Sequence, residues 1–246
     1  MSSDEVLERE RKRKERINRV LNSVLACLNR AYADDHVPSN VAWSRLKRFK
    51  GTDQARKRWL DIASCQRLMN ACSPDFRKIV QAALLTGARW SELRQLRAGD
   101  YDEGAGTVLI AKGKSGKARH VYLTKEGQAA FAEWTAGLEK QAPIFTRAND
   151  EPWGSHDQHR PMRAACEIAK IIPPMGFHAL RHSYASLLVK KGVSLPIVAE
   201  ALGHSGTRMV ERHYGHLAPS HVAATIRRKL PKFGVEITGK IRSLRP

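Results

Sequence analysis

The chain has no apolar run of about eighteen residues or more, the length that a helix needs to cross a bilayer, and its first residues are polar and charged. A secretory leader would carry an apolar core there, so neither a membrane span nor a leader is expected, and the reading is a cytoplasmic protein. Cysteine is sparse. Cys27, Cys65, Cys72 and Cys166 form no Cys-x-x-Cys spacing, and a cytosolic protein of this size needs no disulfide; all four are expected to be reduced and buried. Acidic residues are few as well, 24 against 43 Lys and Arg, which leaves a formal net charge of +19 over 246 residues. An excess of that size suggests a polyanionic partner, above all nucleic acid, because each neutralised phosphate releases condensed counterions. Ribosomal and membrane-surface proteins share such a charge, so charge alone leaves the partner open. A disordered basic tail is excluded, since 42% of the residues are hydrophobic and can build an ordinary core. No internal repeat is present.

Residues 1–16 are dense in charge of both signs and read as a helical extension or frayed tail. Ile17, Val20, Leu21, Val24, Leu25, Leu28 and Tyr32 then recur at helical spacing and predict one amphipathic helix. Asp34 to Gly51 read as a connector with Pro38 and Gly51 as breakers, strongly basic through Lys47, Arg48, Lys50, Arg56, Lys57 and Arg58. The domain boundary is placed there. Beyond it, helices are expected over Ile62 to Ala71, Phe76 to Leu85, a short stretch from a Ser91 cap through Leu96, Lys125 to Lys140, Gln158 to Lys170, His178 to Lys191 with Gly192 as C-cap, and Ser194 to Leu202. Thr107 to Ala111 and His120 to Leu123 flank the turn-rich Lys112-Gly113-Lys114-Ser115-Gly116-Lys117 and predict a β-hairpin. The fold class is therefore α+β, mainly helical, with a small antiparallel sheet.

Three segments carry chemistry. In Thr86-Gly87-Ala88-Arg89-Trp90-Ser91-Glu92-Leu93 a glycine stops one helix and an arginine opens the next, where its guanidinium can face an anion or simply pair with Glu92. In His178-Ala179-Leu180-Arg181-His182 the spacing puts His178 and Arg181 on one helix face, an imidazole beside a fork of N–H donors. Leu202-Gly203-His204 is followed ten residues later by Tyr214. Taken singly, His204 reads equally as a core histidine and Tyr214 as a packing aromatic. His204, His213, His216 and His221 lie close in sequence, yet no acidic or cysteine partner at ligand spacing accompanies them, so no metal site is expected. The five tryptophans show no regular spacing and read as core or interface.

Together these segments resemble the tyrosine recombinase (phage integrase) family, over roughly Trp59 to Leu217. The resemblance implies a catalytic set of Arg89, Lys114, His178, Arg181, His204 and the nucleophile Tyr214. The lysine is placed by counting back from Val121-Tyr122-Leu123, with Lys112 as runner-up. It further implies a catalytic domain of the DNA breaking-rejoining type and metal-independent cleavage through a 3′-phosphotyrosyl intermediate, with neither cofactor nor ATP. Arg89 and Arg181 would neutralise the phosphate, His204 would donate to it, Lys114 would protonate the leaving 5′-oxygen and His178 is the candidate proton acceptor for Tyr214. Double-stranded DNA, a homotetramer on paired sites and accessory DNA-bending proteins are the implied partners.

Residues 1–58 resemble the end of a core-binding domain plus linker, 59–217 the catalytic domain, and 218–246 a basic tail. Only one convincing helix precedes the linker, so a shortened or fragmentary integrase that binds DNA without recombining is one alternative, and a type IB topoisomerase-like activity another. In the tail, Val222, Ile226 and Leu230 form an apolar strip that can dock on a neighbouring subunit or fold back on its own domain.

Overall fold

The computed structural model describes residues 3–52, 58–111, 118–204 and 206–217, with side chains from residue 6 onward. Lys112, Lys114 and the tail of residues 218–246, with its apolar strip, therefore lie outside the described residues. The chain divides into two compact units, Met1–Arg56 and Lys57–Pro246.

In the first unit a single 31-residue helix, α1 (Ser3–Ala33), joins the charged segment to the amphipathic one. Ion pairs of i,i+3 and i,i+4 spacing run along its first half, Arg11–Glu8 at 2.7 Å, Lys14–Glu10 at 2.7 Å and Arg19–Glu15 at 3.2 Å, and pairs at this spacing favour the helix. The basic connector is not an open linker. It forms a short helix α2 (Val41–Ser44) and runs back along α1, where Asn18 Nδ2 donates to the Phe49 carbonyl at 2.9 Å and Trp43 Nε1 donates to Asn29 at 2.8 Å. Cys27 is exposed on α1, contrary to expectation. Within the first unit the described residues leave the face of α1 that carries Cys27 uncovered.

The second unit starts with α3 (Ile62–Ala71), whose Asp61 cap accepts from the Ser64 N–H at 2.8 Å, and α4 (Pro74–Thr86), which has proline in its first turn. The next helix, α5, spans Trp90–Leu93, and its cap is Arg89, not Ser91. The reason is Glu92, whose carboxylate reaches back to the Arg89 N–H at 2.9 Å and sets the helix start two residues earlier. A meander follows, β1 (Tyr101–Asp102), β2 (Thr107–Ile110) and β3 (Arg119–Tyr122), antiparallel in the order β1-β2-β3 with Val108 opposite Val121 and Ile110 opposite Arg119. Then come α6 (Lys125–Thr135), α7 (His159–Ile168), α8 (His178–Lys190), α9 (Leu195–Leu202) and α10 (Arg208–Tyr214). Helix α6 is shorter than expected because Gly137 turns the chain at φ +75°. Gly192, at φ +86°, follows the α8 cap residue Lys191.

The core centres on α4 packed against α8. Phe76, Trp90, Trp153 and Phe177 form its aromatic heart, with Trp90 and Phe177 edge-on at 5.0 Å and Phe76 and Trp153 at 5.7 Å between ring centroids. A smaller cluster of Ala185, Val189, Val198, Ala199, Leu202, Val210 and Tyr214 ties α9 and α10 to the far part of α8. The candidate residues stand where these two cores meet. Cys65, Cys72 and Cys166 are buried free thiols, and burial pushes the first two up to about 11.

Gly87 ends α4 at φ +63°, and a Cβ there would sit 2.5 Å from the Tyr184 ring of α8. Gly137 shares the positive φ but has nothing within 4 Å. Gly137→Ala is therefore expected to cost about 1 kcal/mol from the left-handed backbone alone, and Gly87→Ala a further 1–3 kcal/mol or so from overpacking. Urea denaturation of the two variants measures the difference; equal midpoints would show that the α4–α8 approach at Gly87 is not tight.

Candidate functional site

Three guanidiniums and one carboxylate organise the site. Glu92, 8% exposed, lies on the inner side of α5. Its Oε1 accepts from Arg89 Nη1 at 2.7 Å and its Oε2 from Arg119 Nη2 at 2.9 Å. Arg119 comes from β3, where burial alternates, and it takes an inward position with Val121. Its Nε donates to the Ala201 carbonyl at 3.0 Å, so strand and α9 are joined through it. Gly203, at φ +67°, is where this fits, since a Cβ there would fall 2.9 Å from the Arg119 side chain.

Arg181, on the first turns of α8, is 3% exposed. Nη1 donates to the Gly87 carbonyl at 2.8 Å and Nη2 to the Leu202 carbonyl at 2.5 Å, two carbonyls released by the ends of α4 and α9. Nη2 also lies 3.3 Å from His204 Nε2. No carboxylate among the described residues forms an ion pair with Arg181. Burial and the neighbouring Arg89 and Arg119 charges pull its pKa well below the ordinary arginine value. That is the signature of a pocket short of negative charge.

The same field acts on the other groups. Burial, then the charges of Arg181, Arg89 and Arg119, bring His204 down to about 4, so its ring is neutral near pH 7. Burial raises Tyr214 to about 12 against the opposing charge of Arg181. Glu92 goes the other way: burial raises it, but the hydrogen bonds and charge of Arg119 with the bonds from Arg89 outweigh that and hold it at about 2.

Tyr214 ends α10, buried in the smaller core, and its hydroxyl lies 2.6 Å from His182 Nδ1. His178 is exposed at the start of α8, its ring edge-on to His182 at 4.9 Å between centroids. The ring of His213 stands 6.0 Å from that of His182, its Nδ1 buried without a hydrogen-bond partner among the described residues. Of the six residues expected from the sequence, the structure thus joins Arg89, Arg181, His204 and Tyr214 around one corner and sets His178 beside it through His182. Lys114 lies outside the described residues.

Three members were missed. Glu92 was seen only as a possible surface partner of Arg89, and His182 was passed over inside the His-x-x-Arg segment. Arg119 had a legible signal: a charged residue at a core-facing position of an alternating strand.

Residues 58–221 match the family model described as the phage integrase family. The chain is 29% identical to the integrase of Escherichia phage 186 over 72% of this chain and 49% of that one. It is 31% identical to the integrase of Haemophilus phage HP1 over 68% of this chain and 43% of that one. The chain spans about half the length of the curated relatives it matches. Among solved structures, the catalytic domain of bacteriophage HP1 integrase superposes with a TM-score of 0.55 at 29% identity, covering 72% of this chain and 96% of that one. The Tn1549 transposon integrase in complex with a circular intermediate DNA superposes with a TM-score of 0.69 over 86% of this chain and 78% of that one; at 19% identity it supports the fold alone.

Glu92 sets a pH expectation. Its folded pKa of about 2 lies below the ordinary 4.5, so its stabilisation is full above pH 4.5 and is lost as pH falls towards 2. His204, at about 4 against an ordinary 6.5, similarly favours the fold above pH 6.5 and loses that contribution as pH falls to 4. Glu92→Gln should lower stability at pH 7 by roughly 3 kcal/mol, the order of the linkage contribution, and should flatten the decline below pH 4.5 while leaving that between 6.5 and 4.5. Urea midpoints across pH 3–8 test this. An acid limb as steep as that of the unchanged chain would show that Glu92 is not an ionised bridge.

Proposed function

Since the chain belongs to the phage integrase family of tyrosine recombinases, we propose that it carries out site-specific DNA recombination by strand cleavage and rejoining through a 3′-phosphotyrosyl intermediate. The observation that carries this reading is the cluster of Arg89, Arg119 and Arg181 around the single carboxylate of Glu92, with Tyr214 within the field of Arg181.

The chemistry follows from the groups. A scissile phosphodiester enters where Arg89 and Arg181 can donate to its non-bridging oxygens, a preorganised anion site whose donors are already held by Glu92 and by backbone carbonyls. The Tyr214 oxygen attacks phosphorus, the bond to the 5′-oxygen breaks, and the strand's 3′-phosphate becomes a tyrosyl ester. Lys114 delivers a proton to the departing 5′-oxygen, and the neutral His204 ring donates a hydrogen bond to the phosphate. A 5′-hydroxyl from a second duplex then reverses the step and reseals the strand. Because the phosphodiester energy is kept in the tyrosyl ester, the cycle needs no nucleotide.

In this reading residues 59–217 are the catalytic domain, residues 1–58 the end of a core-binding domain with its linker, and residues 218–246 a basic tail that links protomers. Double-stranded DNA is the substrate, and four protomers act on two paired sites, with accessory DNA-bending proteins as further partners. The net charge of +19 supports the DNA substrate.

Tyr214→Phe should abolish covalent adducts on a nicked suicide duplex and leave DNA affinity within a few-fold, since only the attacking oxygen is lost. Arg181→Lys should slow cleavage at least about a hundredfold, because an ammonium offers no fork of donors. Wild-type cleavage by a folded Arg181→Lys protein would remove paired phosphate recognition from the account. On paired sites, recombinant products support the reading, whereas binding alone or relaxation of supercoiled DNA alone would contradict it.

A further inference from the structure

A buried phenol without a base beside it is a poor nucleophile, and the structure supplies one that the sequence motif did not single out. Tyr214 is 6% exposed, and its oxygen lies 2.6 Å from His182 Nδ1 on α8. That bond joins residues 32 apart in sequence, at the end of α10 and the second turn of α8. It holds the hydroxyl within the field of Arg181, the residue before His182 in the chain. We propose that His182 is a catalytic residue, whose Nδ1 holds the Tyr214 hydroxyl and takes its proton as the oxygen attacks phosphorus.

The inference rests on Tyr214 being the nucleophile. The phenol has one proton, so in the neutral imidazole with hydrogen on Nε2 the O–H donates to Nδ1. As the O–P bond forms and the P–O5′ bond breaks, that proton passes to Nδ1 and leaves an imidazolium. In rejoining, the tyrosyl oxygen departs and takes the same proton back, so the cycle consumes none.

The surroundings suit this transfer. Burial holds the phenol at about 12, too weak an acid to ionise near neutrality unaided, and histidine is the side chain whose ordinary range fits a proton acceptor there. The rings against His182 include His178 on its own helix, edge-on at 4.9 Å, with His213 and Tyr214 on α10 at 6.0 and 5.9 Å between centroids, and Arg181 precedes it in the chain. An imidazolium beside Arg181 is costly in the empty pocket, and a bound phosphate offsets that charge. Proton transfer is thereby coupled to substrate occupancy. Among these groups His178 is exposed, so the new charge forms next to a ring in contact with solvent.

The test is single-turnover adduct formation by the full chain on a nicked suicide duplex. His182→Ala should slow it at least about a hundredfold, the scale of a lost general base, with DNA affinity within a few-fold. His182→Asn, which keeps a hydrogen-bonding side chain but accepts no proton, should be as slow. A fluorinated tyrosine at position 214 supplies the readout that a structural role would not move: its more acidic phenol needs less help, so the loss caused by His182→Ala should shrink at least tenfold. Cleavage by either His182 variant within about threefold of wild type, or an undiminished loss with the fluorinated tyrosine, would overturn the proposal. Tyr214→Phe separates the two levels. Adducts that persist in Tyr214→Phe overturn the nucleophile reading and the inference with it, whereas adducts lost in Tyr214→Phe but unaffected in His182→Ala overturn the proton acceptor alone.

Discussion

One carboxylate, Glu92, allows three guanidiniums to share a desolvated corner. It bridges Arg89 and Arg119 with two short bonds from Nη atoms and caps the helix on which it sits. Burying ions costs several kcal/mol each unless they are paired and hydrogen-bonded, and here the pairing is deliberately incomplete: Arg181 is held by two carbonyls that fix its direction without cancelling its charge. The result is a buried cluster with excess positive charge. In the proposed reaction such a cluster acts through donors that need no reorganisation when the phosphate arrives.

Everything that positions Tyr214 is keyed to the same corner. Helix α9 ends at Gly203, which is pressed against Arg119, and its last carbonyls accept from Arg119 and Arg181. Past that end the chain enters α10, whose Val210 and Tyr214 fill the smaller core against Val189, Val198 and Leu202. A change at Arg119 would therefore reach Arg89 through Glu92 and α9, on which α10 packs, through Ala201. The long α8 serves both sides, with Arg181 towards the donors and His182 towards the phenol.

Much of this was legible in the sequence where the signal was local. Helix α3 appears with the expected bounds, and α8 and the hairpin of β2 and β3 within a residue or so, because capping, helical periodicity and β-branched alternation act over a few residues. Of the residues that the family resemblance singled out, Arg181 lies 3.3 Å from His204, Arg89 is held by Glu92, and Tyr214 meets the residue after Arg181. The misses share a cause as well. Helix α10 shows only two buried residues, Val210 and Tyr214, in seven, and β1 is two residues long, both too short for a period to register. The fusion of α1 rests on ion pairs and not on an apolar stripe, so hydrophobic spacing began the helix too late. The Glu92–Arg119 bridge and the His182–Tyr214 bond span 27 and 32 residues, and only the packed fold brings such partners together.

The most direct test of the central claim, that this arginine corner presents a phosphate to the Tyr214 oxygen, is to trap the full chain on a nicked suicide duplex, digest the adduct with nuclease and protease, and locate the modified residue by mass spectrometry. The account predicts a 3′-phosphoryl nucleotide on the peptide that contains Tyr214, at the phenolic oxygen. An adduct on any other residue, or no adduct from a protein that binds and protects the duplex, would contradict it.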